Sequence, residues 1–120
     1  MSDVFGDVKT FMNAVGQTVG DDNKDLANLY HKLIIEEYTE FLNAHQVSND
    51  TEILDACFDM IWVIAGYMHS RGWDCESSWV EGARSNLSKI DPNTGKVRRR
   101  EDGKILKPEG WQSPNFKQFV

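Results

Sequence analysis

From Asn49 to Gly72 the chain is apolar on almost every side. Ile53, Leu54, Phe58, Ile61, Trp62, Val63 and Ile64 leave Glu52, Asp55 and Asp59 as the only charged positions between Asp50 and His69. The longest unbroken apolar stretch, Met60 to Met68, is too short to cross a bilayer. A helix that is apolar all round and cannot enter a membrane is expected at the buried centre of a helical bundle. This one should run over about 50–70, opened by Asn49 and Glu52 in capping-box spacing and closed by Gly72.

The other elements follow from this centre. Val4, Val8, Phe11, Met12 and Val15 line one face of a first helix over roughly residues 2–17. Gly16, Gly20 and the run Asp21-Asp22-Asn23 mark a loop that ends in an N-cap. A second helix is expected from Lys24 to His45, with Leu26, Leu29, Tyr30, Leu33 and Ala44 on one face, and a fourth from about Asp74 to Lys89. Beyond Asp91-Pro92 the pattern changes. Glu101-Asp102-Gly103 between two short runs signals a β-hairpin, and Pro108 and Pro114 bracket a tail carrying Trp111, Phe116 and Phe119. The expected architecture is all-α: a four-helix-type bundle in a single domain, 1–120, with a small C-terminal β-hairpin and tail over about 91–120. Two cysteines, Cys57 and Cys75, make no disulfide framework and fit a reducing setting, so a cytoplasmic location without a signal peptide is the expectation.

Charge is unevenly distributed within a net of −6. Residues 1–83 hold four lysines and arginines against fifteen acids, whereas 84–107 hold eight against three. An acidic body beside a basic segment suits a metal and a polyphosphate together, or a basic arm for nucleic acid. The acids of the second helix are oddly placed. With Leu33 at the centre of its apolar face and about 100° per residue, Glu40 falls roughly 20° to one side, Glu37 roughly 40° to the other and Glu36 roughly 60° away. On the third helix Glu52, Asp55, Asp59 and Trp62 share a face. An isolated buried carboxylate is costly, and a cluster repels itself unless a cation is present. Hard oxygen donors of this kind favour Mg²⁺, Mn²⁺ or Ca²⁺. The alternative is structural: a solvated Glu-Glu-x-x-Glu face, with Asp55 and Asp59 capping a neighbour or pairing with Arg84.

The segments Glu36-Glu37-Tyr38-Thr39-Glu40 and Asp55-Ala56-Cys57-Phe58-Asp59-Met60-Ile61-Trp62 resemble the all-α nucleoside triphosphate pyrophosphohydrolases of the MazG-like superfamily, closest to short, phosphoribosyl-ATP pyrophosphohydrolase-like members of phages and bacteria. The resemblance spans about 26–90. A literal Glu-x-x-Asp exists only at Glu52–Asp55, but the hydrophobic pattern aligns the motif's last acid with Asp59, leaving Glu52 as a ligand or as the capping residue. The resemblance implies Mg²⁺-dependent cleavage of (deoxy)nucleoside triphosphates to the monophosphate and pyrophosphate, with Mn²⁺ able to substitute. It implies Glu37, Glu40, Asp55 and Asp59 as metal ligands and Glu36 and Glu37 in catalysis. Asn86 and Lys89 would meet phosphates, with Arg84 and the hairpin cations Lys96, Arg98 and Lys104 beside them. Trp62, with Phe11, Gln17 and Tyr30, would serve the base. Relatives are homodimers or homotetramers. Two other readings remain: a catalytically weak nucleotide-binding module, suggested by the Asp55 register, and a nucleic-acid binder using the basic hairpin, which the pI near 4.9 disfavours.

Overall fold

The computed structural model describes residues 3–120 and is all-α. The helices are α1 (Val4–Ala14), α2 (Lys24–Gln46), α3 (Asp50–Ser70) and α4 (Cys75–Leu87), followed by a 3₁₀ turn at Lys117–Phe119. The first residue expected for helix one, Ser2, lies outside the described part. Two compact units divide the chain, one from the N-terminus to Cys75 with Val120, the other Glu76–Phe119. None of the described helices is long and apolar enough to cross a membrane.

In the first unit α2 runs along α3, and α1 packs on α3. The residues joining α2 to α3, 47–49, are too few for anything but an antiparallel pair. Asn23 and Asn49 cap α2 and α3, each accepting a hydrogen bond from a backbone N–H three residues on (Leu26 at 3.1 Å, Glu52 at 3.2 Å). The N–H of Asn49 goes to Ala44 O, so Glu52 does not complete a capping box. The core gathers Val8, Met12, Tyr30, Val63 and Ala65. Tyr30 lies flat against Gly66 of α3, where a Cβ would overlap its ring, and its hydroxyl donates to Gln17 Oε1 at 2.6 Å. Glycine is required here for closeness: it sets how near α2 and α3 approach.

The loop between α1 and α2 is fastened to the end of α3. Gly20 N–H donates to His69 O and Asn23 N–H to Ser70 O, and Gly72, at φ +73°, brings its backbone against Asp21 and Asp22. Arg71 completes this closure, paired with Asp22 at 2.9 Å and set over the rings of Tyr67 and Trp73. His69 is a satisfied core histidine. Its Nε2 meets Phe5 O at 2.9 Å, a bond only an N–H can donate, which leaves Nδ1 to accept from the Cys75 thiol at 3.6 Å.

Two expectations need correction. The β-hairpin is absent: among the described residues there is no strand or sheet, only isolated bridges joining Ile90 to Val97 and Arg99 to Ile105. The Asp-Gly turn itself forms, with Asp102 Oδ1 accepting from Lys104 N and Gly103 at φ +88°. Pairing then stops because Arg98-Arg99-Arg100 offers no apolar face on which a two-stranded ribbon could be buried, and an unsupported ribbon is marginal in water. The second correction concerns α3. Ala56, Val63, Ala65, Gly66, His69 and Ser70 are buried, but Leu54 (71% exposed), Phe58 (56%), Ile61 (54%) and Ile64 (46%) are not. Helix α1 is too short to reach them.

The Tyr30–Gly66 contact yields a direct prediction. Gly66→Ala should destabilise the fold by about 1–3 kcal/mol through overpacking, seen as a lower denaturant midpoint with unchanged helical circular dichroism.

Candidate metal centre

Two turns along from Tyr30 on α2, and two turns back from Gly66 on α3, stand Glu37 and Asp59. Glu40 joins them from the next turn of α2. Carboxylate oxygens of Glu37, Glu40 and Asp59 lie within 4.8 Å of one another. Glu37 and Asp59 are half-buried and Glu40 is exposed, so the group opens to solvent on one side. Leu33 and Val63, one turn below, belong to the core and close the other side.

The electrostatics of the trio are unfavourable when all three are ionised. Glu37 Oε2 is buried with no hydrogen-bond donor. Burial first, then hydrogen bonding to Glu40 and the charge of Asp59, push the Glu37 carboxyl up to about 7. Burial and the charges of Asp55 and Glu40 raise Asp59 as well, while its hydrogen bond with Glu37 acts in the opposite sense. Below about pH 7 the metal-free site therefore favours a proton on Glu37, supplying the donor that the ionised trio lacks. A divalent cation would meet the same need without the proton. An all-oxygen donor set, an orphaned buried oxygen and one open side fit a hard cation that keeps waters and shares positions with phosphate.

Not every expected residue joins this group. Asp55 is exposed and stays outside the close trio, acting on Asp59 through its charge. Glu36 and Glu52 are exposed and also outside it. Trp62 is half-buried, edge-on to Phe11 at 5.6 Å and tilted against Phe58 at 5.8 Å. Tyr30 and Gln17 are committed to each other. Asn86, Lys89 and Arg84 belong to the second unit. There Lys89 donates to Asn86 Oδ1 at 3.1 Å, and Arg84 grips Glu81 with its shortest contact at 2.6 Å. One partner was not legible in the spacing: Trp111, far along the tail, lies under the ammonium groups of both Lys89 (5.3 Å) and Lys107 (4.6 Å).

Residues 8–86 match the family described as phosphoribosyl-ATP pyrophosphohydrolase. The chain belongs to this family. It is thereby a member of the MazG-like, all-α superfamily of pyrophosphohydrolases, metal-dependent enzymes acting on acid anhydrides of nucleotides. No individual curated protein matches the chain. The matched span contains the whole trio, so a pyrophosphohydrolase's metal requirement and the unsatisfied carboxylates meet in one place.

The raised carboxyl predicts a pH dependence. Unfolding returns Glu37 from about 7 toward its ordinary 4.5, so between these values the folded chain binds more protons than the unfolded one, and stability falls as pH rises. The melting temperature in EDTA should drop from pH 5 to pH 7.5. Mg²⁺ should raise it more at pH 7.5 than at pH 5, and Glu37→Gln should flatten the metal-free slope.

Proposed function

We propose that the chain hydrolyses the α–β phosphoanhydride bond of (deoxy)nucleoside triphosphates, water adding to the α-phosphorus and pyrophosphate leaving, to give the (d)NMP. The observation that carries this reading is the convergence of Glu37, Glu40 and Asp59 within the family-matched span. Mg²⁺, with Mn²⁺ as a substitute, is the proposed ion, held by Glu37, Glu40 and Asp59 with Asp55 at the edge. When bound, it supplies the positive charge that neutralises phosphate oxygens and acidifies water.

The chain's own residues would do the rest. Leu33 and Val63 wall the carboxylates from bulk water on the core side, which strengthens every charge interaction there. Glu36, exposed beside Glu37 on α2, orients the attacking water and takes its proton. Glu37 serves as ligand and as the neighbour through which that proton is shared. Positioning and charge neutralisation, rather than covalent chemistry, supply most of the rate in such transfers. Trp62 is the proposed base contact.

The family's name favours a second substrate, phosphoribosyl-ATP, which carries the same triphosphate linkage. Self-association is also proposed. Leu54, Phe58 and Ile61 on α3, with Ile35, Tyr38 and Leu42 on α2, leave a broad apolar surface that a second copy would cover in a homodimer or homotetramer. Light scattering on the eluted protein checks it: a monomer at micromolar concentration would refute association.

The decisive assay incubates the protein with NTPs, dNTPs and phosphoribosyl-ATP plus Mg²⁺ or Mn²⁺ and separates the products. Monophosphate and pyrophosphate in equal amounts are expected. Orthophosphate with diphosphate would reject the reading, and metal-dependent binding without pyrophosphate release would make the chain a nucleotide-binding module instead. Glu40→Gln and Asp59→Asn should each lower kcat by at least about a hundredfold, on the scale of losing a preorganised charged group, while the chain stays helical.

A further inference from the structure

Helix α4 is folded with its polar side covered. At about 100° per residue, Glu81 and Ser85 fall on one side, and Trp79, Val80 and Leu87 lie within roughly 60° of Ala83 on the other. The tail is fastened to the polar side. Ser85, 1% exposed, donates its hydroxyl to Gln112 O at 3.0 Å, and its carbonyl accepts from Trp111 Nε1 at 2.8 Å. Glu81 Oε1 accepts from Asn115 N–H at 3.2 Å, and the Phe116 ring lies against Gly82.

The apolar side is left to solvent. Trp79 and Val80 are each 68% exposed and Leu87 63%, with Ala83 half-buried among them. An amphipathic helix of a soluble domain ordinarily shows the reverse, its apolar stripe covered and its polar side wet. A continuous stripe of this kind differs from singly scattered apolar residues and marks a contact surface.

The charges of α4 select the occupant. Its first turn carries Glu76 and its last Arg84, with Lys89 just beyond. Glu76 lies on the stripe itself, roughly 20° from Ala83. Two copies of α4 side by side in parallel would set Glu76 against Glu76 and align the helix dipoles. An antiparallel pair instead sets the acidic start of each helix against the basic end of the other and opposes the dipoles. The face is thus complementary to itself in one orientation, the condition for a two-fold contact. With the crossing at Ala83, the small side chain lets the helix axes approach to about 8 Å. Trp79 then meets Leu87 of the second copy, and Glu76 meets the second copy's Lys89, which Asn86 and the Trp111 ring steady.

We infer that α4 pairs antiparallel with α4 of a second copy, about a two-fold axis at Ala83. The contact uses none of the α2 or α3 residues named above for association and does not depend on the proposed hydrolysis. One helix face from each copy is a small interface, below the roughly 1,200 Å² of standard ones, so the pairing is reversible.

Cysteine cross-linking of the full chain reads this geometry. In a Cys57→Ser background, with Cys75 buried, Ala83→Cys should form a disulfide-linked dimer under mild oxidation. Val80→Cys should not, although Val80 is exposed, because antiparallel pairing sets it about 9 Å along the axis from its counterpart, beyond the reach of a disulfide. Val80→Glu should weaken self-association at least about tenfold in sedimentation with helical circular dichroism unchanged, since an unpaired carboxylate would have to leave water. Equal cross-linking at both positions signals parallel pairing or random collision and overturns the inference. So does an Ala83→Cys chain that stays single, its stripe then being covered by something other than a second α4. Self-association indifferent to Val80→Glu runs through another surface and overturns it as well.

Discussion

The close approach of α2 and α3 at Tyr30 and Gly66 is the contact on which the candidate metal centre depends. In this antiparallel pair Tyr30 faces Gly66, Leu33 faces Val63 and Glu37 faces Asp59, so the residue numbers facing one another have a constant sum. From the aromatic contact to the acidic one is seven residues on each helix, two turns and about 10.5 Å of rise. A glycine thus acts at a distance on the carboxylates: it permits the helices to lie near enough for three acids from two helices to share one small volume.

That volume is a conflict as well as a site. Leu33 and Val63 make it dry on one side, while Glu37, Glu40 and Asp59 crowd like charges together. The folded chain has two ways out, a proton retained on Glu37 or a cation among the three. The first is what burial and the neighbouring acids impose on the chain alone. The second is what membership of a metal-dependent pyrophosphohydrolase family leads one to expect. Either way the acids stand beside a core in which Tyr30, Val8 and Met12 are buried.

Local signals were legible where the physics is local. Asn23 and Asn49 announce the starts of α2 and α3, and both caps form. Apolar spacing locates the helices within a few residues. What depends on distant partners was less so. The Asp102-Gly103 turn signal is local and correct, yet it carries no information on whether Arg98–Arg100 has anything to pack against. The all-round apolarity of α3 says that Leu54 and Phe58 should be covered but not by what, and within this chain they are not. Helical angles put Glu37 and Glu40 on the inner stripe of α2, but Asp55 and Asp59 on a shared face of α3; only the inter-helix register separates them, bringing Asp59 to the trio and leaving Asp55 at the rim. The approach of Trp111 to Lys89 had no periodicity to betray it.

The paired seven-residue steps also bear on how such a chain can change over time. Residues 47–49 connect the helices outside both intervals, Tyr30 to Glu37 and Asp59 to Gly66, so a lengthened connection leaves both steps intact. A single residue gained or lost between Tyr30 and Glu37, or between Asp59 and Gly66, would instead swing the acids by about 100° around their helix. Those two short intervals should resist insertions and deletions far more than the connection or the tail, whatever side chains they carry.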